Sequence, residues 1–569
     1  MSVLAKLKEA TTLHEFAALL GYSAKGLAYV LYQLPMEAKY TTFPIKKKDG
    51  TDRIIKAPTP ELKKLQSHLA NLLYACRDEI EKEGFRNSVS HGFRRGHSII
   101  TNAKEHKRRR FVFNIDLEDY FPTFHFGRVR GFFLKDKSFA LNEKIATLIA
   151  QIACDGTALP QGSPCSPIIS DLVAQILDMR LVRFAKKHKV TYSRYADDIT
   201  FSTSQKAFPT AVAVEEPAES GIWVIGEGLA ERLKEADFTA NPGKSRMHCR
   251  GSRQTVTGLV VNAKVNVSAE YFRNAKAMCR TLLSTGRYHT KLLPLEDGQD
   301  KAQPDWTTTT NPLLGIIGHI FHVKRSTDRR SEKEQRDDPD ATRKLFRSFL
   351  FYRYFVAPDR PLIVGEGKTD NVYLREAIKH LPQYHPGMGG FVEGRFELAV
   401  RLFRYSNHIH EIMDIGGGSG DLKSIILDYY RLLPKIQHRP MAFPVILVLD
   451  NDDGLQHIVS TIKKCFGVTI SKQTTAPYYH LTDNLYVVKT PESGDTDTCI
   501  EGLFPVDWLN KELNGKVFNP NKKHGAQGEY GKADFADKVV RPNAADIDFS
   551  GFAFLLDRIV AAQNHHMAK

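Results

Sequence analysis

The chain has 569 residues, 42% of them hydrophobic, and a formal net charge of +15. That length allows three or more domains, and the positive balance favours a polyanionic partner, nucleic acid first. Seven scattered cysteines without a CxxC pair argue against a zinc or disulfide framework and for a reducing compartment. No apolar run of about 18 residues occurs, which excludes a membrane-spanning helix. Met1–Ala10 shows no signal-peptide core. A soluble cytoplasmic protein with no membrane partner is expected.

Residues 3–33 show helical spacing of Leu, Phe, Ala and Val, with Gly21 as a helix stop. Two short β-prone runs, 42–45 and 53–55, flank an Asp-Gly turn and predict a hairpin. Lys46, Lys47, Lys48 and Arg53 surround its tip. A solvated basic turn is the plain alternative to a hairpin that folds over a nucleotide triphosphate, where cations offset phosphate charge. Residues 61–82 read as a helix, followed by a Gly-broken basic loop, His91–Ile99. A further helix holds Asn102, Ala103 and His106 and ends in Lys107-Arg108-Arg109-Arg110, a cluster suited to a phosphate backbone.

Phe111–Leu117 reads as an apolar strand with one acid, Asp116. A charge there is expensive unless it is paired or binds metal. Phe121 follows, either as core or as a ring closing the space of a ribose 2′-hydroxyl, which would select deoxynucleotides. In Leu159–Pro167, Gly162 allows close backbone approach to a ligand and Gln161 offers hydrogen bonds to a nucleotide. Val190–Ser202 reads as two strands around Tyr195-Ala196-Asp197-Asp198. Alone, that turn is equally well a solvated hairpin tip. With Asp116 it supplies three carboxylates from separate places, a set suited to two Mg²⁺ ions about 3.5–4 Å apart. Residues 204–222 read as irregular and 228–236 as a helix. Lys244, in Asn241–Ser245, is placed to touch a leaving phosphate. Val256–Asn262 reads as a strand broken at Gly258.

Taken in order, the basic hairpin, "NIDLEDYF", "LPQGSPCSP", "YADD", "NPGKS" and the following hairpin resemble a reverse transcriptase. "NAKEH" (102–106) and "VTG" (256–258) resemble the NAxxH and VTG elements of the bacterial retron branch. The resemblance covers roughly residues 30–325. It implies a right-hand polymerase of fingers, palm and thumb, with fingers and palm in 1–265 and thumb and linker in 266–357. It implies catalytic and metal-binding roles for Asp116, Asp197 and Asp198, and nucleotide-binding roles for Lys46, Arg53, Phe121, Gln161, Gly162 and Lys244. RNA contacts fall on Asn102, His106, Arg108, Arg109, Val256, Thr257 and Gly258. The implied partners are dNTPs, a cognate structured non-coding RNA and its branched product, msDNA, primed from the 2′-hydroxyl of an internal guanosine. A cellular RNase H would trim the template. A homo-oligomer is allowed.

The thumb is expected in 268–325. Residues 324–344 are charged and polar, a linker or exposed loop, and an aromatic helix follows over 345–356. A new α/β domain, 358–569, opens with Leu362–Asp370, strand, glycine turn and helix, with Glu366 just past the strand. The Walker spacing fails, because Leu362 stands where the first Gly is needed. Gly416–Gly418 opens a helix, as a flexible turn or a phosphate-facing nest. The apolar strand before Asp450 ends in alternating acids, and in extended chain Asp450 and Asp452 point the same way.

"VGEGKTDNVYL", with the Asp450-x-Asp452 pair, resembles a TOPRIM domain of the subtype found in OLD-family nucleases. Ile500-Glu501-Gly502-Leu503-Phe504 is similar to that subtype's later acidic stretch. This resemblance covers about 360–510. It implies catalytic roles for Glu366, Asp450 and Asp452, which with Glu501 would bind one or two Mg²⁺ and break phosphodiesters; a role for Lys489 at a developing charge is also implied. No topoisomerase tyrosine or gate domain is evident. The tail, 511–569, reads as helical and basic without a motif. The whole chain is thus expected to be multidomain, α+β then α/β: a retron reverse transcriptase fused to a TOPRIM nuclease effector in antiphage defence. Two rivals stand beside it. One is a group II intron-like or diversity-generating reverse transcriptase. The other is a reverse transcriptase with a non-catalytic, nucleic-acid-binding TOPRIM-like module.

Overall fold

A computed structural model describes residues 2–46, 50–82, 84, 89–218, 220–290, 305–417, 419–492, 496–521 and 527–569. Lys47 and Lys48 of the basic hairpin, and Gly418 of the glycine run, lie outside the described residues. The chain forms two compact units, residues 1–268 with 323–328, and residues 269–322 with 329–569.

In the first unit, short helices Val3–Glu9 and Leu13–Leu19 precede Gly21, which takes the left-handed φ of +70° that ends the helical run. The fingers hairpin pairs Tyr40–Lys46 with Asp52–Pro58, Lys46 opposite Asp52. Helix Pro60–Lys82 buries Leu62, Leu65, Leu69, Leu72, Leu73 and Cys76, the 3–4 spacing of one apolar face.

The palm is a four-stranded antiparallel sheet in the order Thr191–Tyr195, Asp198–Thr203, Phe111–Asp116, Arg246–Cys249. Strand alternation splits it into two faces. Phe113 lies opposite Phe201 and Ile115 opposite Ile199, and all four are fully buried in the core. On the other face Asn114 lies opposite Thr200 and Asp116 opposite Asp198. The 204–222 stretch, expected to be irregular, contains strand Ala213–Glu215, paired with Trp223–Ile225.

In the second unit a five-stranded sheet runs in the order Arg401–Leu402, Leu362–Val364, Val445–Leu449, Leu485–Lys489, Tyr479–Thr482. The first four strands are parallel and the last is antiparallel. The three central strands are buried along their whole length, as in a sheet covered on both faces. From Leu362–Val364 the chain steps first to one side and then, through Val445–Leu449, to the other. Such a switch point opens a crevice beyond the carboxyl ends of the two strands, where Glu366 and Asp450 stand.

Two expectations are corrected here. Residues 324–344 are not a loop. Ser331 and Glu334 form a capping box on helix Glu332–Asp337, and Asp340 caps helix Ala341–Phe351. Mixed charge, read as a linker, is the solvated surface of short capped helices. The thumb stretch 269–322 also belongs to the same unit as the α/β sheet. Arg343 and Arg347 pair with Asp414 at 3.0 and 2.6 Å, and Arg347 with Asp428 at 2.9 Å. The Leu283 carbonyl accepts from the Gln437 and His438 amides. The tail, legible only as helical, adds strands Val517–Phe518 and Glu529–Tyr530 and helix Ala553–Met567. Its Phe535, Phe549 and Phe552 pack with Tyr373 and Phe504 in the core of the unit.

Candidate active sites

The first site is built by the register of the palm. Asp116 ends its strand opposite Asp198, and Tyr195 also lies opposite Asp198, so Ala196 and Asp197 form a two-residue turn. Ala196 takes a φ of +56° there, a conformation uncommon without glycine. The turn is held from several sides. Leu117 N donates to Asp197 O at 3.0 Å and Asn241 N to Asp116 O at 2.8 Å. A Cβ on Gly92 would meet Ala196 N at 2.4 Å, so the basic Gly-broken loop is a glycine-dependent support for the turn.

Behind the turn lies a charged network that sequence reading missed. Arg194 is fully buried. It pairs with Asp171 at 2.9 Å and Asp178 at 2.7 Å, and donates to Tyr120 Oη and Ala196 O. Arg77 pairs with Asp171 from the other side at 2.9 Å. Against the upward push of burial, Arg194 and Arg77 hold the Asp171 carboxyl below its ordinary value. Removing one partner strands a buried charge, which costs about 3–5 kcal/mol. Arg194→Met is therefore expected to lower the stability of this unit by that amount in urea unfolding; a loss below roughly 1 kcal/mol, the scale of an exposed ion pair, would contradict the network.

The three acids crowd one another. Burial, then Asp197 and Asp116, lifts Asp198 to about 6, although its side chain opens to solvent. Burial and Asp116 raise Asp197. Lys244 Nζ lies 2.6 Å from Asp116 Oδ2, and that hydrogen bond raises the lysine. Lys244, expected on a leaving phosphate, thus pairs with one of the three acids. Arg53 lies near enough to lower Asp197, whereas Lys46 pairs with Asp52 at 2.8 Å. Phe121 is half-buried against Phe93 and Tyr120.

Other expected contacts are corrected. Gly162, at φ +125°, would place a Cβ 2.7 Å from Lys56 O. Lys56 N donates to Gln161 O at 2.9 Å, so the close approach that glycine permits is to the fingers strand. Asn102 and His106, expected on RNA, are fully buried against the palm hairpin. Val256 is buried too, and Thr257 and Gly258, at φ +46° and +81°, form the turn between Thr255–Val256 and Leu259–Val260. Arg108 Nε donates to Ala263 O and Arg109 Nη2 to Thr191 Oγ1, so both spend donors inside the chain.

The second site gathers acids at the sheet's switch point. Glu366 Oε1 accepts from Asp450 N at 3.0 Å, and Asp450 Oδ1 from Ile500 N at 2.9 Å. Asp452 Oδ1 accepts from Gly454 N at 2.8 Å. Burial, with Asp452 and Asp370, pushes Glu366 up to about 7. Burial and Glu366 raise Asp450 well above its ordinary value. Two members escaped sequence reading. Asp370 is buried, accepts from Gly367 N, and is lifted to about 6 by burial and Glu501. Lys532, from the motif-free tail, lies 3.0 Å from Glu501 Oε2. Against the downward pull of burial, Glu501, Asp450 and Asp370 hold it above its ordinary value. Asp370 was legible in principle, in the same short motif as Glu366 and at the start of helix Asp370–His380; Lys532 is placed only by folding.

The remaining expectations near this site change. Gly416 N and Gly417 N donate to Asp421 Oδ2 at 2.6 and 2.9 Å, so the helix's own acid fills the nest. Lys489 is fully buried and donates to the Ser471 and Lys472 carbonyls, so its donors are held inside the chain.

As the side chains stand, no three His, Cys, Asp or Glu among the described residues converge to hold a metal ion. Both donor sets nonetheless fit a hard divalent cation such as Mg²⁺, which takes carboxylate oxygen. Burial, with Asp116 for Asp197 and with Asp197 and Asp116 for Asp198, raises both carboxyls. In the second site Glu501 Oε1 is buried without a hydrogen-bond partner, an acceptor a cation would satisfy.

The model of the family described as Reverse transcriptase (RNA-dependent DNA polymerase) matches residues 45–277. The chain is 33% identical over 278 residues to Retron Mx162 reverse transcriptase of Myxococcus xanthus, covering 45% of this chain and 54% of that one. It is 32% identical over 287 residues to Retron Mx65 reverse transcriptase of the same organism, covering 47% and 62%. It is 31% identical over 269 residues to Retron Ec86 reverse transcriptase of Escherichia coli, covering 47% and 76%. The chain thus spans little more than half the length of the first of these relatives. The family model stops at residue 277, before the second acidic site.

Proposed function

Because this chain belongs to the retron reverse transcriptase family, we propose that it is an RNA-directed DNA polymerase that copies its own non-coding RNA into branched msDNA. The observation that carries the polymerase reading is the Asp116–Asp198 register with Asp197 on the intervening turn. Asp116, Asp197 and Asp198 would hold two Mg²⁺ ions, which supply activation of a 3′-hydroxyl and stabilisation of the departing pyrophosphate. The chain's own residues do the positioning. Arg53, with Lys46, draws the triphosphate toward the acids. Lys244, held on Asp116, would be free to meet phosphate were the acids to hold cations instead. Phe121 closes the space of a 2′-hydroxyl. Branch priming, RNase H trimming and the cognate RNA are proposed by analogy with the family.

We infer further that the second unit carries a TOPRIM-type metal-dependent nuclease that msDNA restrains and phage infection releases. Glu366, Asp370, Asp450, Asp452 and Glu501 would hold the cation, which supplies an activated water for phosphodiester cleavage. Lys532 keeps one positive charge beside the acids. The switch-point position and the orphaned Glu501 oxygen support this reading; a purely binding module has no use for five crowded acids. No helix among the described residues is long and apolar enough to cross a membrane.

The test is incorporation of dTTP on poly(rA)·oligo(dT) by the purified chain in Mg²⁺. RNA-templated, Mg²⁺-dependent product is expected, and its absence would overturn the polymerase reading.

A further inference from the structure

The palm face that carries the acids is polar beneath them. Asn114 and Asp116, Ser193 and Tyr195, and Asp198, Thr200 and Ser202 all lie on it by strand alternation. His106, at the end of helix Ile99–Glu105, reaches this face. Its Nδ1 lies 2.7 Å from Ser202 Oγ and its Nε2 lies 2.6 Å from Ser193 Oγ. The Ser193 hydroxyl donates to Asn102 Oδ1 at 2.5 Å. Ser193 Oγ therefore accepts from Nε2–H, and the Ser202 hydroxyl donates to Nδ1. Ser193 lies opposite Thr200, and Ser202 opposite Thr191, so the imidazole joins two strands diagonally. Those are the strands that lead into and out of the Asp197 turn.

The layer continues sideways. The Thr200 hydroxyl donates to Asn114 Oδ1 at 2.9 Å, and Asn114 Nδ2 to Thr255 O at 2.8 Å. Thr257 Oγ1 donates to Ile99 O at 3.3 Å, closing the hairpin onto the helix. Asn102, His106, Ser193 and Ser202 are fully buried. Burial holds His106 at about 3, so the ring is neutral and its hydrogen-bond pattern is fixed.

We propose that Asn102 and His106 are positioning residues for DNA synthesis, setting the spacing of Asp198 against Asp116 from further along the same face of the sheet. An apolar layer would fill the same space without the desolvation cost of buried polar groups. Directional bonds instead allow one strand register, and a slip of one residue would turn Asp198 away from Asp116. The inference rests on the polymerase reading.

The full chain is assayed on poly(rA)·oligo(dT) with dTTP. His106→Phe fills the volume without hydrogen bonds. It is expected to lower kcat on the order of 10- to 100-fold, the effect of a displacement near 1 Å. The KM for dTTP and the affinity for fluorescently labelled poly(rA)·oligo(dT) are expected to stay unchanged. His106→Gln, which keeps a donor, recovers part of the loss. Weaker template binding at normal kcat would overturn the proposal and place His106 on RNA. Should His106→Phe fail to fold, Ser202→Ala removes one bond at nearly constant volume. A smaller kcat loss supports the proposal, and an unchanged kcat overturns it. Incorporation surviving Asp197→Asn would instead sink the polymerase reading itself.

Discussion

Asp197→Asn is expected to abolish RNA-templated DNA synthesis, by a factor of at least about 10³, in a protein that is folded and no less stable. Asparagine keeps the shape of the turn, whose backbone is fixed by Leu117 N and by the packing of Gly92 on Ala196. What it removes is one of three charges held within a few residues of a buried strand end. Burial and Asp116 raise the Asp197 carboxyl in the folded chain. A raised carboxyl stabilises folding only while protonated, below its unfolded value, and that contribution is lost as pH rises through the folded value. At neutral pH the charge is therefore a cost of folding, and the amide should leave the melting temperature level or raised. Asp198 adds a signature in pH. Held at about 6, it should make incorporation fall away as pH drops through 6, well above the range of an ordinary aspartate. Steady-state dTTP incorporation across pH, with thermal melting beside it, checks both. A variant that incorporates at the wild-type rate would show that the carboxylate is not used.

Glu366→Gln is expected to remove Mg²⁺-dependent phosphodiester cleavage, again by about 10³-fold or more, while leaving DNA synthesis at its wild-type rate. The amide oxygen can still accept from Asp450 N, so the crevice keeps its shape while losing charge. Burial with Asp452 and Asp370 places Glu366 at about 7, so cleavage should rise as pH increases through 7. Nicking of supercoiled plasmid and cleavage of bulk tRNA by the full chain distinguish DNA from RNA targets. Persistent Mg²⁺-dependent cleavage of either by the variant would contradict the assignment. In phage-challenged cells supplied with the cognate RNA locus, Glu366→Ala should keep branched DNA and lose protection. Protection that survives would separate this site from defence.

Much of the gathering of acids was legible because charge in an apolar strand is hard to explain otherwise. Asp116 and Asp450 each end such a run, and each stands at a site. Buried polarity was not legible. Asn102 and His106 look like surface residues by type, and only the fold shows that their partners are Ser193 and Ser202. Arg194, one residue before the turn, carries no sequence signal of its own, yet it pairs with Asp171 and Asp178 behind the turn. Lys532 has no motif because its role is set by three-dimensional proximity to Glu501. Glycines left the identity of their neighbour open twice. At Gly162 the close neighbour is the fingers strand, and at Gly416 and Gly417 the amides meet Asp421. A glycine marks a close approach without saying to what.

Two independent acidic centres on one chain are tested most directly by assaying both activities in the same two variants. Asp197→Asn should lose RNA-templated incorporation and retain cleavage, and Glu366→Gln should do the reverse. Loss of both activities in either folded variant, or of neither in both, would contradict two separate sites.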